Sequence, residues 1–377
     1  MTKSSLLSLT RRSTETALLL IVAGTGSASA QGSGGSDKTK LIVVAEQGSF
    51  LAGGTVVTNA GTFDPIALTP DGQTVRGDHA YVQYQIPPDA RKLPLVFWHG
   101  GGQFSKTWET TPDGREGFQN IFLRRGFAVY NLDQPRRGRA GRSLANASII
   151  PIPGPGATGE QGIFVRFRIG IWPNYFPGVQ FSHDPEALNQ WWRQQTPDLG
   201  PGTNTVVVNG VAAALEKVGP SILVTHSASG LPGWLTQIQS PNVKAIVAYE
   251  PVGWVFPSGE MPAPITTAGG NVIVGNPVSA ADFQHLTQVP ILVVYGDNIP
   301  ALGSPSVYPG IDIWRGRLEM ARKFVAAVNS KGGDATLIHL PDVGITGNTH
   351  FPMQDLNNLE VADLLSNYLK EKKLDKR

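Results

Sequence analysis

Residues Ser221–Gly230 read SILVTHSASG, an apolar β-branched run that stops at a histidine and a serine and then turns small. Six residues without alternation fit a strand buried on both faces, and the helical pattern that opens at Ser229 runs to Gln239. A serine in the sharp turn between such a strand and helix is exposed above the sheet edge, the arrangement of a nucleophile elbow. Glycines are expected two residues either side of that serine, because strand and helix approach closely there. Here the positions hold Thr225 and Ser229. Both satisfy the size requirement, although Thr225 crowds more than glycine, so a plain serine at a helix N-cap remains the competing reading of this stretch alone.

Working outward, short apolar runs recur at Leu41–Ala45, Ala80–Ile86, Leu93–His99, Phe127–Asp133, Lys244–Glu250, Pro290–Asp297 and Ala335–Pro341. Helical patterns lie between them at Glu116–Arg125, Thr205–Val218, Trp314–Ser330 and Asn357–Lys370. Strand alternating with helix predicts an α/β fold with a mostly parallel central sheet flanked by helices, its first strands forming an antiparallel hairpin. Two Pro/Gly-rich excursions interrupt the pattern, residues 143–202 and 252–288. The first carries Trp172, Tyr175, Phe176, Phe181, Trp191 and Trp192 and reads as a cap or lid. Residues 41–377 are taken as one domain.

Three more loops could complete a catalytic site around Ser227. A serine hydroxyl is a weak nucleophile and needs a base, an acid that orients the base, and donors for the developing oxyanion. The turn HGGG, His99–Gly102, follows a strand, and its glycines let backbone N–H groups face inward, so Gly101 and Ala228 are the candidate oxyanion donors. His350, in GITGNTHFPMQD after the last strand, stands where the base is wanted. His226 is too close to Ser227 to face its hydroxyl easily, His339 lies inside a strand, and His79, His183 and His285 have no matching setting. For the acid, Glu250 and Asp297 end successive strands; the later strand is the commoner place for it, which favours Asp297, although spacing cannot settle the choice.

Composition bounds the rest. The 377 residues are 41% hydrophobic and 16% charged with a net charge of +2, which fits a soluble enzyme and shows no nucleic-acid footprint. The short basic run Arg136, Arg137, Arg139 and Arg142 reads as a solvated loop. Without cysteine there is no disulfide, thiolate chemistry or cysteine metal site. No metal-ligand spacing, phosphate loop or dinucleotide fingerprint is present, so no cofactor and no metal are expected. Residues 1–30, with Lys3, Arg11 and Arg12 before the apolar Ala17–Ala23 and then Ala28-Ser29-Ala30, read as a signal peptide, and 31–40 as a flexible leader. The chain is therefore expected to be exported, to the periplasm or beyond.

The run from Trp98 to Ala140 containing TWETTPDGR, the THSASG elbow, AIVAYEP, ILVVYGD and GITGNTHFPMQDLNNLEVADLL together resemble a group of exported bacterial esterases in the α/β-hydrolase superfamily. The resemblance covers most of the residues after the leader. It implies an α/β-hydrolase fold, a serine nucleophile at Ser227, His350 as base and Glu250, after the earlier strand, as the triad acid. Asp297 is then structural or close behind the triad. The implied activity is hydrolysis of a small-molecule ester through an acyl-enzyme. Trp172, Trp191 and Trp192 would present apolar surface to bulky or aromatic groups, with packing of the cap's own core as the rival role. The same triad could cut a lactone, an amide or a β-diketone, and the scaffold could instead serve a non-catalytic binding protein. A homodimer through the aromatic cap is compatible with the sequence but not demanded by it.

Overall fold

The computed structural model describes residues 41–67, 69–145, 159–200 and 203–377. The expected signal peptide and leader, and residues 146–158 and 201–202 of the expected cap, lie outside the described residues. Eight strands form the main sheet: β1 (Glu46–Thr58), β2 (Thr74–Ile86), β3 (Leu95–Trp98), β4 (Val129–Asp133), β5 (Ser221–His226), β6 (Val243–Tyr249), β7 (Pro290–Tyr295) and β8 (Asp334–His339). Their spatial order is β1-β2-β4-β3-β5-β6-β7-β8. β1 and β2 pair antiparallel as a hairpin, β2 is antiparallel to β4, and every pairing from β4 to β8 is parallel. The fold is that of an α/β-hydrolase.

The parallel strands are apolar on both faces because both faces are covered. Val96, Trp98 and Leu223 join one core with Trp234, Trp254, Trp314 and Phe324, whereas Leu95, Phe97, Ile222 and Val224 join the other with Trp108, Phe118, Phe122 and Tyr249. Adjacent residues on one strand thus feed opposite cores, which is why the sequence shows runs rather than alternation. The helices are α1 (Phe118–Arg124), α2 (Glu160–Arg166), α3 (Pro185–Arg193), α4 (Asn204–Val218), α5 (Gly230–Gln239), α6 (Ala280–Leu286), α7 (Pro309–Ser330) and α8 (Asn358–Glu371). α2, α3 and the short strand pair Gly170–Ile171 with Asn174–Tyr175 belong to the first excursion. The second holds four short strands and α6.

One expected strand is absent. Leu41–Ala45 is irregular, with Leu41 88% exposed, and β1 begins at Glu46. A β-branched run becomes strand only where a partner completes its ladder, and the register of β1 against β2 ends at the pair Glu46 and Ile86.

Chain order reverses direction between β3 and β5, since β3 leads to β4 on one side and β5 to β6 on the other. In open α/β sheets the crevice at the carboxyl ends of such a strand pair is where ligands bind. The loop at Gly100–Gly102 and the turn at Ser227 border that crevice.

Candidate active site

Ser227 leaves β5 with φ +54°, in the left-handed region, before a short 3-10 turn leads into α5. That tight turn works with Thr225 in place of glycine because the facing helix supplies the missing space: a Cβ on Gly233 would lie 2.8 Å from Thr225 Cγ2. The glycine has moved from the strand to the helix. Ser229 uses its hydroxyl locally, accepting from His226 N–H at 2.9 Å and lying 3.2 Å from the Trp98 carbonyl that it donates to. Gly100 is equally constrained, since a Cβ there would approach Ser227 Cβ to 2.9 Å. Gly101 stands beside Ala228, with a built Cβ 3.2 Å from that alanine's own.

His350 Nε2 lies 2.9 Å from Ser227 Oγ, and His350 Nδ1 lies 3.2 Å from Glu250 Oε2. The structure thus brings together a hydroxyl, an imidazole and a carboxylate from three loops at one sheet edge. Glu250 is fully buried with φ +51°, a second non-glycine residue in the left-handed region, and its Oε1 accepts from Gly296 N–H and from Arg168 Nη2, the latter at 2.6 Å. Asp297 does not compete for the imidazole. Its carboxylate accepts from Gly347 N–H at 2.7 Å and from Asn298 N–H at 2.6 Å, and so ties the end of β7 to the loop that carries His350.

His350 is 1% exposed and enclosed by rings, with Phe167 at 4.6 Å and Trp314 at 4.3 Å between centroids. Burial, then the nearby charges of Arg168 and Arg317, hold its pKa well below the ordinary 6.5. A neutral imidazole is the form that can accept a proton. Its backbone is fixed as well: His350 N–H donates to the Phe167 carbonyl at 3.0 Å, and its own carbonyl meets His226 Nε2 at 2.8 Å. Burial likewise depresses His226.

The downstream part of this loop is clamped by Arg115, which donates to the carbonyls of Gln354, Asp355 and Leu356 and to Asn358 Oδ1, the last at 2.7 Å. Asn358 answers with a bond to the Glu116 carbonyl at 2.9 Å. TWETTPDGR and HFPMQDLNN are therefore two halves of one contact. Within the loop, Asp355 accepts from Thr349 N–H and Oγ1 and from Asn348 Nδ2, and its burial raises its pKa to about 7.

Two expectations need correction. The arginine run is a solvated loop only in part: Arg139 and Arg142 are exposed, but Arg136 is buried against Asp78 at 2.7 Å and Arg137 is buried between Asp198 and the Gly100 carbonyl. Asp78 in β2 and Asp198 in the first excursion give the two buried cations partners that adjacency in sequence does not reveal. The second concerns Trp191, which is fully buried among Phe167, Phe181, Trp192 and Phe351. It is a core side chain, packed in one cluster with Phe97, Trp108 and Phe351, and has no exposed face left to present. Trp172 is 40% exposed and packs edge-on against Phe164. Trp192 is partly exposed.

Sequence reasoning missed Arg168, Phe167, Trp314 and the supporting role of His226. Phe167 and Arg168 lie just after α2, more than 80 residues from Glu250, and no local pattern links them. Among the described residues no group of three His, Asp or Glu side chains could hold a metal ion.

No protein-family model matches the chain. A curated fungal protein (Fungal sp., strain ATCC 74256) named "Probable secreted lipase phiG" is 28% identical over 331 residues, which span 77% of this chain and 85% of that protein. Among solved structures, a bacterial esterase described as novel and determined at atomic resolution is 32% identical, with a TM-score of 0.69 over 88% of this chain and 97% of its own.

Proposed function

From the premise that this chain belongs to the α/β-hydrolase family of that bacterial esterase, we propose that it hydrolyses carboxylic esters through Ser227, His350 and Glu250. The observation that carries the reading is the continuous chain of short contacts from Ser227 Oγ through both ring nitrogens of His350 to Glu250. In this mechanism Ser227 Oγ attacks the ester carbonyl as its proton passes to His350 Nε2. The tetrahedral oxyanion is held by the N–H groups of Gly101 and Ala228, and His350 returns the proton to the departing alcohol. Water, deprotonated by the same nitrogen, then releases the acyl group from Ser227. Glu250 keeps the Nδ1 proton in place, which leaves Nε2 unprotonated in the resting state, and stabilises the imidazolium that forms. Ser227 is only partly buried and Ala228 is exposed, so substrate can reach the nucleophile while its base and acid stay dry.

A bulky or aromatic ester is the proposed substrate class, with the partly exposed Trp172 and Trp192 as candidate contacts and Trp191 as their support. Mutating Trp192 to Ala should lower the preference for aromatic over short-chain p-nitrophenyl esters; an unchanged preference removes this assignment. Export is proposed from the N-terminal pattern and from the secreted relative. The triad itself is tested by a fluorophosphonate probe. Stoichiometric labelling at Ser227 that is lost in Ser227→Ala supports it, and absence of labelling on folded protein moves the binding-protein reading ahead.

A further inference from the structure

Arg168 comes from the first excursion, yet it is as buried as the triad acid, with both side chains 0% exposed. Its Nη2 lies 2.6 Å from Glu250 Oε1, its Nε donates to the Asp297 carbonyl at 2.7 Å, and its guanidinium lies over the Trp314 ring at 4.7 Å. Those contacts place one carboxylate oxygen on arginine and leave the other, Oε2, to His350 Nδ1. The preceding residue, Phe167, covers the His350 ring and accepts from its backbone N–H. A glutamate in this place has one more rotatable bond than aspartate and stands at a strained turn, so it needs a second anchor to aim it. Arg168 has φ +61°, so that the cap turns sharply to deliver this side chain.

We propose that Arg168 is a positioning residue of the active site: it fixes which oxygen of Glu250 serves His350 and offsets that carboxylate's charge, making the cap an integral part of the catalytic centre. This rests on the Ser-His-Glu reading above. The groups facing His350 are Glu250 after β6, Arg168 from the cap, Arg317 on α7 and His226 at the end of β5, while the nearby carboxylates of Asp297 and Asp355 are turned to Gly347 and Asn298 and to Thr349 and Asn348. Of the two cations, only Arg168 bonds the triad acid. Removing its charge takes away one of the influences that keep the imidazole neutral, and the imidazole then holds its proton to higher pH.

The test compares the unmodified chain with Arg168→Met and Arg168→Lys, each checked for folding by thermal melt, using p-nitrophenyl ester hydrolysis across pH and fluorophosphonate labelling. Arg168→Met should lose kcat by about a hundredfold through misplacement of the acid, with KM little changed. Its acid limb in kcat/KM should move up by about one pH unit. Arg168→Lys, which keeps the charge but not the fork of donors, should keep the limb in place and recover part of the rate. Should the Met variant not fold, Arg168→Gln replaces it with the same expectations. A folded variant with unmodified kcat and limb overturns the proposal, as does a loss of rate with an unmoved limb, which marks a merely structural arginine. If the unmodified chain neither labels nor hydrolyses, it is the esterase reading that fails.

Discussion

Thr225 and Gly233 show how a tight elbow is built when the strand position is not glycine. The methyl Cγ2 of Thr225 fills the space that a Cβ at Gly233 would need, only 2.8 Å away, and a β-branched residue inside a buried strand has no room to yield. Gly233→Ala should therefore destabilise the fold by about 1–3 kcal/mol, as overpacked cores do, and adding Thr225→Ser should restore most of it. Urea unfolding midpoints of the single and double variants decide this; additive losses would contradict it. At this scale the meeting of Ser227 and His350 was legible because a serine between strand and helix, and a histidine after the last strand, sit in recognisable local settings. Glu250 was not legible from spacing or strand placement, which favoured Asp297, and only the resemblance pointed to it. Only the orientation of two carboxylates, one toward His350 and one toward Gly347 and Asn298, separates them.

Among elements, the loop that carries His350 is held from outside by Arg115 through four acceptors on 354–358. Bonds to a charged donor are the stronger kind, and this guanidinium is partly exposed, so Arg115→Ala should cost about 2 kcal/mol. It should also lower kcat by about tenfold, because a loosened loop spreads the His350 positions. A melt together with steady-state kinetics checks both, and unchanged kcat would show that the loop is fixed without the clamp. Elements of the parallel sheet were readable because most of its strands carry near-continuous apolar runs. β1 was misplaced for the converse reason: most of its residues are exposed, and its ladder with β2 carries it, while the more apolar Leu41–Ala45 has no such ladder. Arg136 and Arg137 were misjudged on the same ground, since their partners Asp78 and Asp198 come from elsewhere in the chain.

Over the whole molecule, buried ionisable groups set the response to acid. His99, His226 and His350 are held neutral when folded, all chiefly by burial, with His99 lowered to about 4. Below pH 6.5 the unfolded chain protonates these histidines while the folded chain does not, so stability is lost as pH falls. Asp355, raised to about 7 in the fold, acts in the opposite sense over this window. Three histidines against one carboxyl leave a net uptake of protons on unfolding, so stability slopes downward as pH falls from about 6 to 5. Urea unfolding at pH 7.5, 6 and 5 should show that slope, and equal stabilities would contradict the burial of these side chains. The central claim is tested most directly by hydrolysis of a p-nitrophenyl ester by the unmodified chain beside folded Ser227→Ala, His350→Ala, Glu250→Gln and Asp297→Asn. Rates lower by orders of magnitude in the first three, with Asp297→Asn little affected, are the predicted result. An active Glu250→Gln beside an inactive Asp297→Asn would contradict it.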